Sequence, residues 1–230
     1  MKTGLLMAGL LVFPAAASAQ DQIIGLLSLP EVFGEGPCDR FTPQEVTLRA
    51  GPDSETIVGT IRVDVPWTFH AVGGCEGLRV NLHLTGTPRV TEFPTKESGY
   101  EEPAAIVLQR RDGWFRVRLS EGTAWLQASP RDEYFPLEQL LTDRLTYLTD
   151  AWDGHLSESP GGAAAEPTVS GRDVRLGQFR RVGDRLWVHV EVLSHSICES
   201  TEEPTVAARG WMPAHAVSGE PAIWFFSRGC

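Results

Sequence analysis

Two stretches of this 230-residue chain, DGWFRVRLSEGTAWLQA at 112–128 and DRLWVHVEV at 184–192, repeat one pattern in which tryptophan leads an alternating run. Phe115, Val117 and Leu119 alternate with Trp114, Arg116 and Arg118; Val188, Val190 and Val192 alternate with Trp187, His189 and Glu191. Side chains along a strand point to opposite faces with a period of two, so the alternation predicts half-buried β-strands rather than helices. It also assigns each leading tryptophan to the charged face, away from the aliphatic one. An aromatic ring on a polar face is a platform for a peptide or a sugar, which makes Trp114, Arg116, Trp187 and His189 the candidate binding residues. The competing reading is that other parts of the chain cover each ring, since tryptophan is usually well buried.

The remainder is read the same way. IIGLLSLPEVFG at 23–34 is apolar and fits a strand, a short helix or a segment laid over the fold. EVTLRAGPDSETIVGTIRV at 45–63 gives two strands about a Gly-Pro-Asp-Ser turn, and LRVNLHLTG at 78–86 alternates cleanly. TEFPTKESGYEEP at 91–103 holds two prolines and four acidic residues and is expected as an exposed loop. In AAIVLQRRDGWFRVRLSEGTAWLQA at 104–128 the apolar runs are separated by Arg-Asp-Gly and Ser-Glu-Gly-Thr, which suit tight hairpins. Leucines at 137, 140, 141, 145 and 148 fall at helical spacing behind Pro136, predicting one amphipathic helix over 136–148, although TYLTDAWDGHL at 146–156 also fits a hairpin turning at Asp153-Gly154. SESPGGAAAEPTVSG at 157–171 has no apolar period and is expected to be a linker or long loop. RLGQFRRVGDRLWVHVEVL at 175–193 then reads as two strands about a Val-Gly-Asp turn, with RGWMPAHAV following at 209–217.

A second tryptophan follows each leading one, Trp125 in the first copy and Trp211 in the second, where extra residues around Cys198 lengthen the connection. This is a weak internal repeat, and both later tryptophans are expected as packing residues. LRAGPDSETIVGTI followed by GWFRVRLSEGTAWL resembles the bacterial SH3 (SH3b-like) domain, from its Arg-x-Gly-Pro turn to its Gly-Trp strand and closing aromatic. DRLWVHVEV with RGWMPAHAV is similar to the last part of an SH3 barrel. The resemblance covers about half of the chain beyond residue 19. The first copy departs from the pattern by an insertion at 64–104 and by Ala124 before Trp125, the second by Ala216 where peptide-binding SH3 domains carry tyrosine.

The resemblance implies a mainly β protein of two small SH3-like β-barrel units, the first with a long insertion and followed by the one helix. Expected boundaries are 20–156 for the first unit, 157–171 for the linker and 172–230 for the second. Residues 1–19, with Lys2, an apolar run and Ala17-Ser18-Ala19, read as a secretory signal peptide, so the protein is expected to be periplasmic or secreted. No later apolar run approaches membrane-spanning length. In an oxidising compartment four cysteines imply disulfides; Cys38–Cys75 and Cys198–Cys230 are expected because each pair falls within one proposed unit.

A net charge of −10 with no extended basic stripe argues against nucleic acid. There is no His-Glu-x-x-His, Gly-x-Ser-x-Gly or Cys-x-x-Cys, and His189, Glu191 and His195 spread too far along one strand for a single ion. Neither a cofactor nor a metal is expected. The adjacent acids Glu101-Glu102 and Glu202-Glu203 do not fix the separation that glycoside hydrolysis needs, so no catalytic residue is assigned. The expectation is a non-catalytic envelope protein that binds a peptide, a peptidoglycan fragment or a protein partner. A cell-wall hydrolase or accessory subunit with an unrecognised site, and a structural or inhibitory scaffold, are the rival readings.

Overall fold

The computed structural model describes residues 21–33, 44–63, 80–165, 171–199 and 202–229. The expected signal peptide lies outside them, as do Cys38, Cys75 and Cys230, and with them both expected disulfide pairings. Cys198, which is described, is not a free thiol.

The chain is mainly β, in two antiparallel sheets. The first contains β1 (Gly25–Ser28), β2 (Val46–Arg49), β3 (Ile57–Val63), β4 (Val80–Leu84), β5 (Val90–Glu92), β6 (Thr95–Gly99), β7 (Glu102–Arg111), β8 (Trp114–Arg118), β9 (Thr123–Gln127) and β10 (Glu133–Pro136). Their order is β10-β1-β7-β8-β9-β2-β3-β4-β5, with β6 also on β7. The second contains β11 (Thr146–Leu148), β12 (Leu156–Ser157), β13 (Ala164–Ala165), β14 (Asp173–Val182), β15 (Arg185–Leu193), β16 (Val206–Pro213) and β17 (Ile223–Phe225), in the order β13-β12-β16-β15-β14-β11-β17. Short helices α1 (Pro30–Phe33) and α2 (Leu137–Leu141) complete it.

Neither sheet closes into the expected barrel: among the described residues β3 continues into β4 and β5 instead of meeting the far side of its own sheet. The inserted segment supplies these strands, and its pairing with β3 fills the edge that closure would need. The chain passes from the first sheet to the second between β10 and β11, ahead of the expected 157–171 linker, and that stretch carries β13 paired to β12. The expected exposed loop at 91–103 contains β6, and Phe93 is fully buried inside the first sheet.

The expected helix over 136–148 is corrected to five residues. Leu137, Leu140 and Leu141 bury on one helical face as the spacing requires. Thr142 then leaves in extended conformation, Asp143 takes a positive φ of 56°, and Thr146–Leu148 pairs with both β14 and β17. Ladder bonds on two sides and burial of Leu148 outweigh the helical register of the later leucines.

The predicted hairpins form. Asp112 and Gly113 both take positive φ (49° and 80°) between β7 and β8, the geometry of a two-residue turn matched to strand twist. The turn between β14 and β15 is also two residues, Gly183 and Asp184 between paired Val182 and Arg185.

Two hydrophobic clusters hold the molecule together, and β1 and β7 serve both. Leu27, Ala105 and Val107 point into a cluster with Leu48, Ile61, Leu82, Val117 and Leu126, all from the first sheet. The alternate residues Leu26, Ala104, Ile106 and Leu108 point the other way, against Leu140, Val188, Val190, Met212, Ile223 and Phe225. This explains the unbroken AAIVL run at 104–108: a strand buried on both faces loses its alternation.

Candidate functional site

The polar face of β8 emerges as the alternation predicted. Phe115 and Val117 are buried; Trp114, Arg116 and Arg118 are half-buried on the opposite face and belong to neither aliphatic cluster. Arg116 lies opposite Trp125 on β9, which in turn lies opposite Arg49 on β2. Both β8 arginines reach out of their own sheet. Arg116 is ion-paired with Asp21, and Arg118 Nη1 donates to Glu220 Oε1 at 2.5 Å. The candidate Arg116 is therefore engaged at the junction of the sheets, and its Nε is buried without a hydrogen-bond partner.

On the second sheet Trp187 and His189 share the face turned away from the core, with Trp211 opposite His189. The His189 and Trp211 rings meet edge-on at 5.5 Å, and the Arg180 guanidinium lies 5.4 Å from the Trp211 ring centre. Trp187 is only 9% exposed, although neither aliphatic cluster includes it. Trp114 and Arg116 thus stay on one sheet and Trp187 and His189 on the other. Trp125 and Trp211, expected as packing residues, are half-buried outside both clusters.

The junction between the sheets is built from polar groups. His215 Nε2 donates to the Ile23 carbonyl at 2.7 Å, and Ile23 N–H donates to Gly219 O at 3.3 Å. Burial holds the His215 imidazole below its usual pKa of 6.5, against the opposing pull of its bond to Ile23. Gly219 has a φ of +84°, and a Cβ there would stand 2.7 Å from the Asp21 carbonyl oxygen, so only glycine lets the segment at Asp21 lie this close. On the other side β6 grips the end of the chain: Glu97 takes Ser227 and Arg228, while Arg144 donates to Ser98 O at 2.7 Å and lies 4.4 Å from the Phe225 ring centre. Glu97 titrates below the ordinary carboxylate range because Arg228 and Ser227 donate to it.

Beside this grip opens a cleft of about 350 Å³. Trp224 and Tyr147 give it aromatic surface and Pro221 adds apolar surface, while Lys96, Glu220, Asp150 and Arg172 bring charges of both signs. Asp150 Oδ1 accepts from Arg172 Nη1 at 2.5 Å. The Lys96 ammonium stands 4.8 Å from the centre of the Trp224 ring. Burial lowers its pKa from the usual 10.5; Glu220 opposes the shift and Arg118 adds to it. Burial, then nearby Asp150, raises the Tyr147 phenol.

None of these cleft residues was among the candidates from sequence. Lys96 sits in the stretch read as exposed loop, Tyr147 in the tail read as helix. One signal was in reach: apart from Lys2, Lys96 is the sole lysine in a chain with twenty Lys and Arg residues. No group of His, Cys, Asp and Glu suited to a metal ion occurs among the described residues, and no helix among them is long and apolar enough to cross a membrane. No family model matches the chain, and no curated protein or solved structure matches it.

Proposed function

We propose that the chain is an exported, non-catalytic protein of the bacterial envelope, built on two SH3-like units, that binds a peptide, a peptidoglycan fragment or a protein partner. Support for the SH3-like reading comes from strand pairing. The Arg-x-Gly-Pro hairpin β2–β3 and the Gly-Trp hairpin β8–β9 lie side by side through β2 and β9, with Arg49 opposite Trp125. These two segments thus form one continuous surface, with β4 and β5 of the insertion added at the β3 edge.

The observation that carries the binding reading is the cleft at the junction. Its aromatic wall with charges of both signs is the mixture that holds a short peptide-like ligand. Titration of the oxidised protein with solubilised wall fragments, followed by calorimetry, tests it. Saturable binding that weakens in Tyr147→Ala supports the reading. No heat with wall fragments, and no envelope protein retained by the immobilised chain, overturns it.

The burial of Trp187 and the use of Arg116 and Arg118 at the junction favour a second reading, in which these β surfaces only hold a scaffold. On that reading Trp114→Ala and Trp187→Ala lower thermal stability and leave every binding titration unchanged. Export is tested by the N-terminal sequence of the protein recovered from a cell envelope fraction, where a start at residue 20 is expected.

A further inference from the structure

The cleft has an imbalance that selects its ligand. Its donors are unspent: among the described residues the Lys96 ammonium makes no hydrogen bond and no ion pair, only its contact with Trp224, and the Tyr147 hydroxyl makes no hydrogen bond. Its carboxylates are already engaged, Glu220 by Arg118 and Asp150 by Arg172. A ligand that satisfies this site must bring acceptors. Lys96 and Arg172 balance Asp150 and Glu220 along the lining, but both carboxylates are already paired with arginines, which leaves the Lys96 ammonium without an ion pair of its own among the described residues. Glu220, the carboxylate that favours the charged form of Lys96, is itself bonded to Arg118, so a half-buried ammonium with no ion pair of its own remains costly, and an incoming anion lowers that cost.

We propose that the cleft is a carboxylate-binding subsite: the Lys96 ammonium pairs with a ligand monocarboxylate, the Tyr147 hydroxyl donates a second hydrogen bond, and the ligand's apolar body lies against Trp224 and Pro221. This rests on the binding reading above and narrows its ligand class. A cleft of this volume accommodates about one or two amino-acid residues. The carboxylate is either the free C-terminus of a peptide or that of a small organic acid.

Lys96 makes the test direct. Reductive methylation with ¹³C-formaldehyde keeps the positive charge and labels the Lys96 amine together with the chain's own terminal amine, which Lys96→Met distinguishes. The labelled, oxidised protein is titrated with N-acetyl-alanyl-alanine, with the amide of the same dipeptide, and with propionate. The expected result is a saturable shift of the Lys96 resonance with the acid and none with the amide. Because a hydrogen bond to a charged group is at stake, calorimetric titration of the variants with the acid should show binding weakened about 10- to 100-fold in Lys96→Met, mostly retained in Lys96→Arg, and weakened about 3- to 10-fold in Tyr147→Phe. An equal response to propionate assigns the site to small acids; a response to the dipeptide alone assigns it to peptide C-termini. Equal binding of acid and amide overturns the carboxylate assignment while leaving peptide binding intact. No response to any probe also overturns it, and wall-fragment calorimetry then decides the broader reading separately.

Discussion

Leu26 and Leu27 are neighbours on β1, both fully buried, and they belong to different cores. Leu27 joins a cluster whose buried members all fall within residues 27–126, built by the first sheet together with α1 and its own connections. Leu26 joins one in which β1 and β7 meet α2 and the second sheet, with contributors from Ile23 to Phe225. The first sheet therefore buries one face without any residue of the second sheet. The second sheet fills its interior with the backs of β1 and β7. The pair of tryptophan-led strands looks symmetrical in sequence, but the architecture beneath it is one sheet leaning on another.

The comparison is most directly broken by truncating each leucine. Leu26→Ala and Leu27→Ala are each expected to cost about 2–5 kcal/mol in denaturant unfolding. Hydrogen exchange separates them: Leu26→Ala should expose amides of β14–β16, whereas Leu27→Ala should loosen β2–β5 and β8–β9 first. Identical exchange patterns in both variants would make the two cores a single cooperative unit.

A smaller effect is expected where the sheets touch through backbone. Gly219→Ala meets both a left-handed φ and the Asp21 carbonyl, and is expected to cost about 1–3 kcal/mol. Gly113→Ala shares the positive φ but has open space around it, so its cost should stay near 1–2 kcal/mol. Equal losses would mean that the chain at Asp21 yields freely.

Acid sharpens the contrast further. In the folded protein His215 holds its neutral form below the usual 6.5, so its contribution is present in full above that value. As pH falls from 6.5 through the lower folded pKa, the unfolded chain takes up the proton first and stability declines. His215→Gln should flatten that part of the pH–stability curve, and an unchanged slope would place the acid sensitivity elsewhere. The smallest effect belongs to Arg118 and Glu220, whose side chains are 27% and 40% exposed. A double-mutant cycle with glutamine at each is expected to give a coupling of about 1 kcal/mol or less, shrinking in high salt.

Local rules carried much of this fold. The alternation around Val117 and Val190, the Asp112-Gly113 turn and the apolar run at 104–108 were legible because each is decided within a few residues. Whether β3 would close a barrel was not, because its partner comes from an insertion rich in prolines and acids. Nor was the end of α2: leucines at 145 and 148 keep helical spacing, and only the two flanking strands show why the chain extends there. The same limit hid the cleft. Lys96, Tyr147 and Trp224 come from separate parts of the chain, and no spacing rule connects them. Trp187 is the instructive case on the other side, since parity named its face correctly without revealing its burial.

The bond from His215 to the Ile23 carbonyl spans 192 positions of sequence. Contacts this distant form late, because the intervening chain must be ordered before the closure is rewarded. The first sheet can gather from residues made early, but β1 keeps its second face bare until β15, β16 and β17 exist. For that interval Leu26, Ile106 and Leu108 form a greasy strip with nothing to cover it. The slow step of folding, and the window in which a chaperone or a neighbouring chain can intervene, is therefore expected to be the arrival of the second sheet on a half-finished molecule.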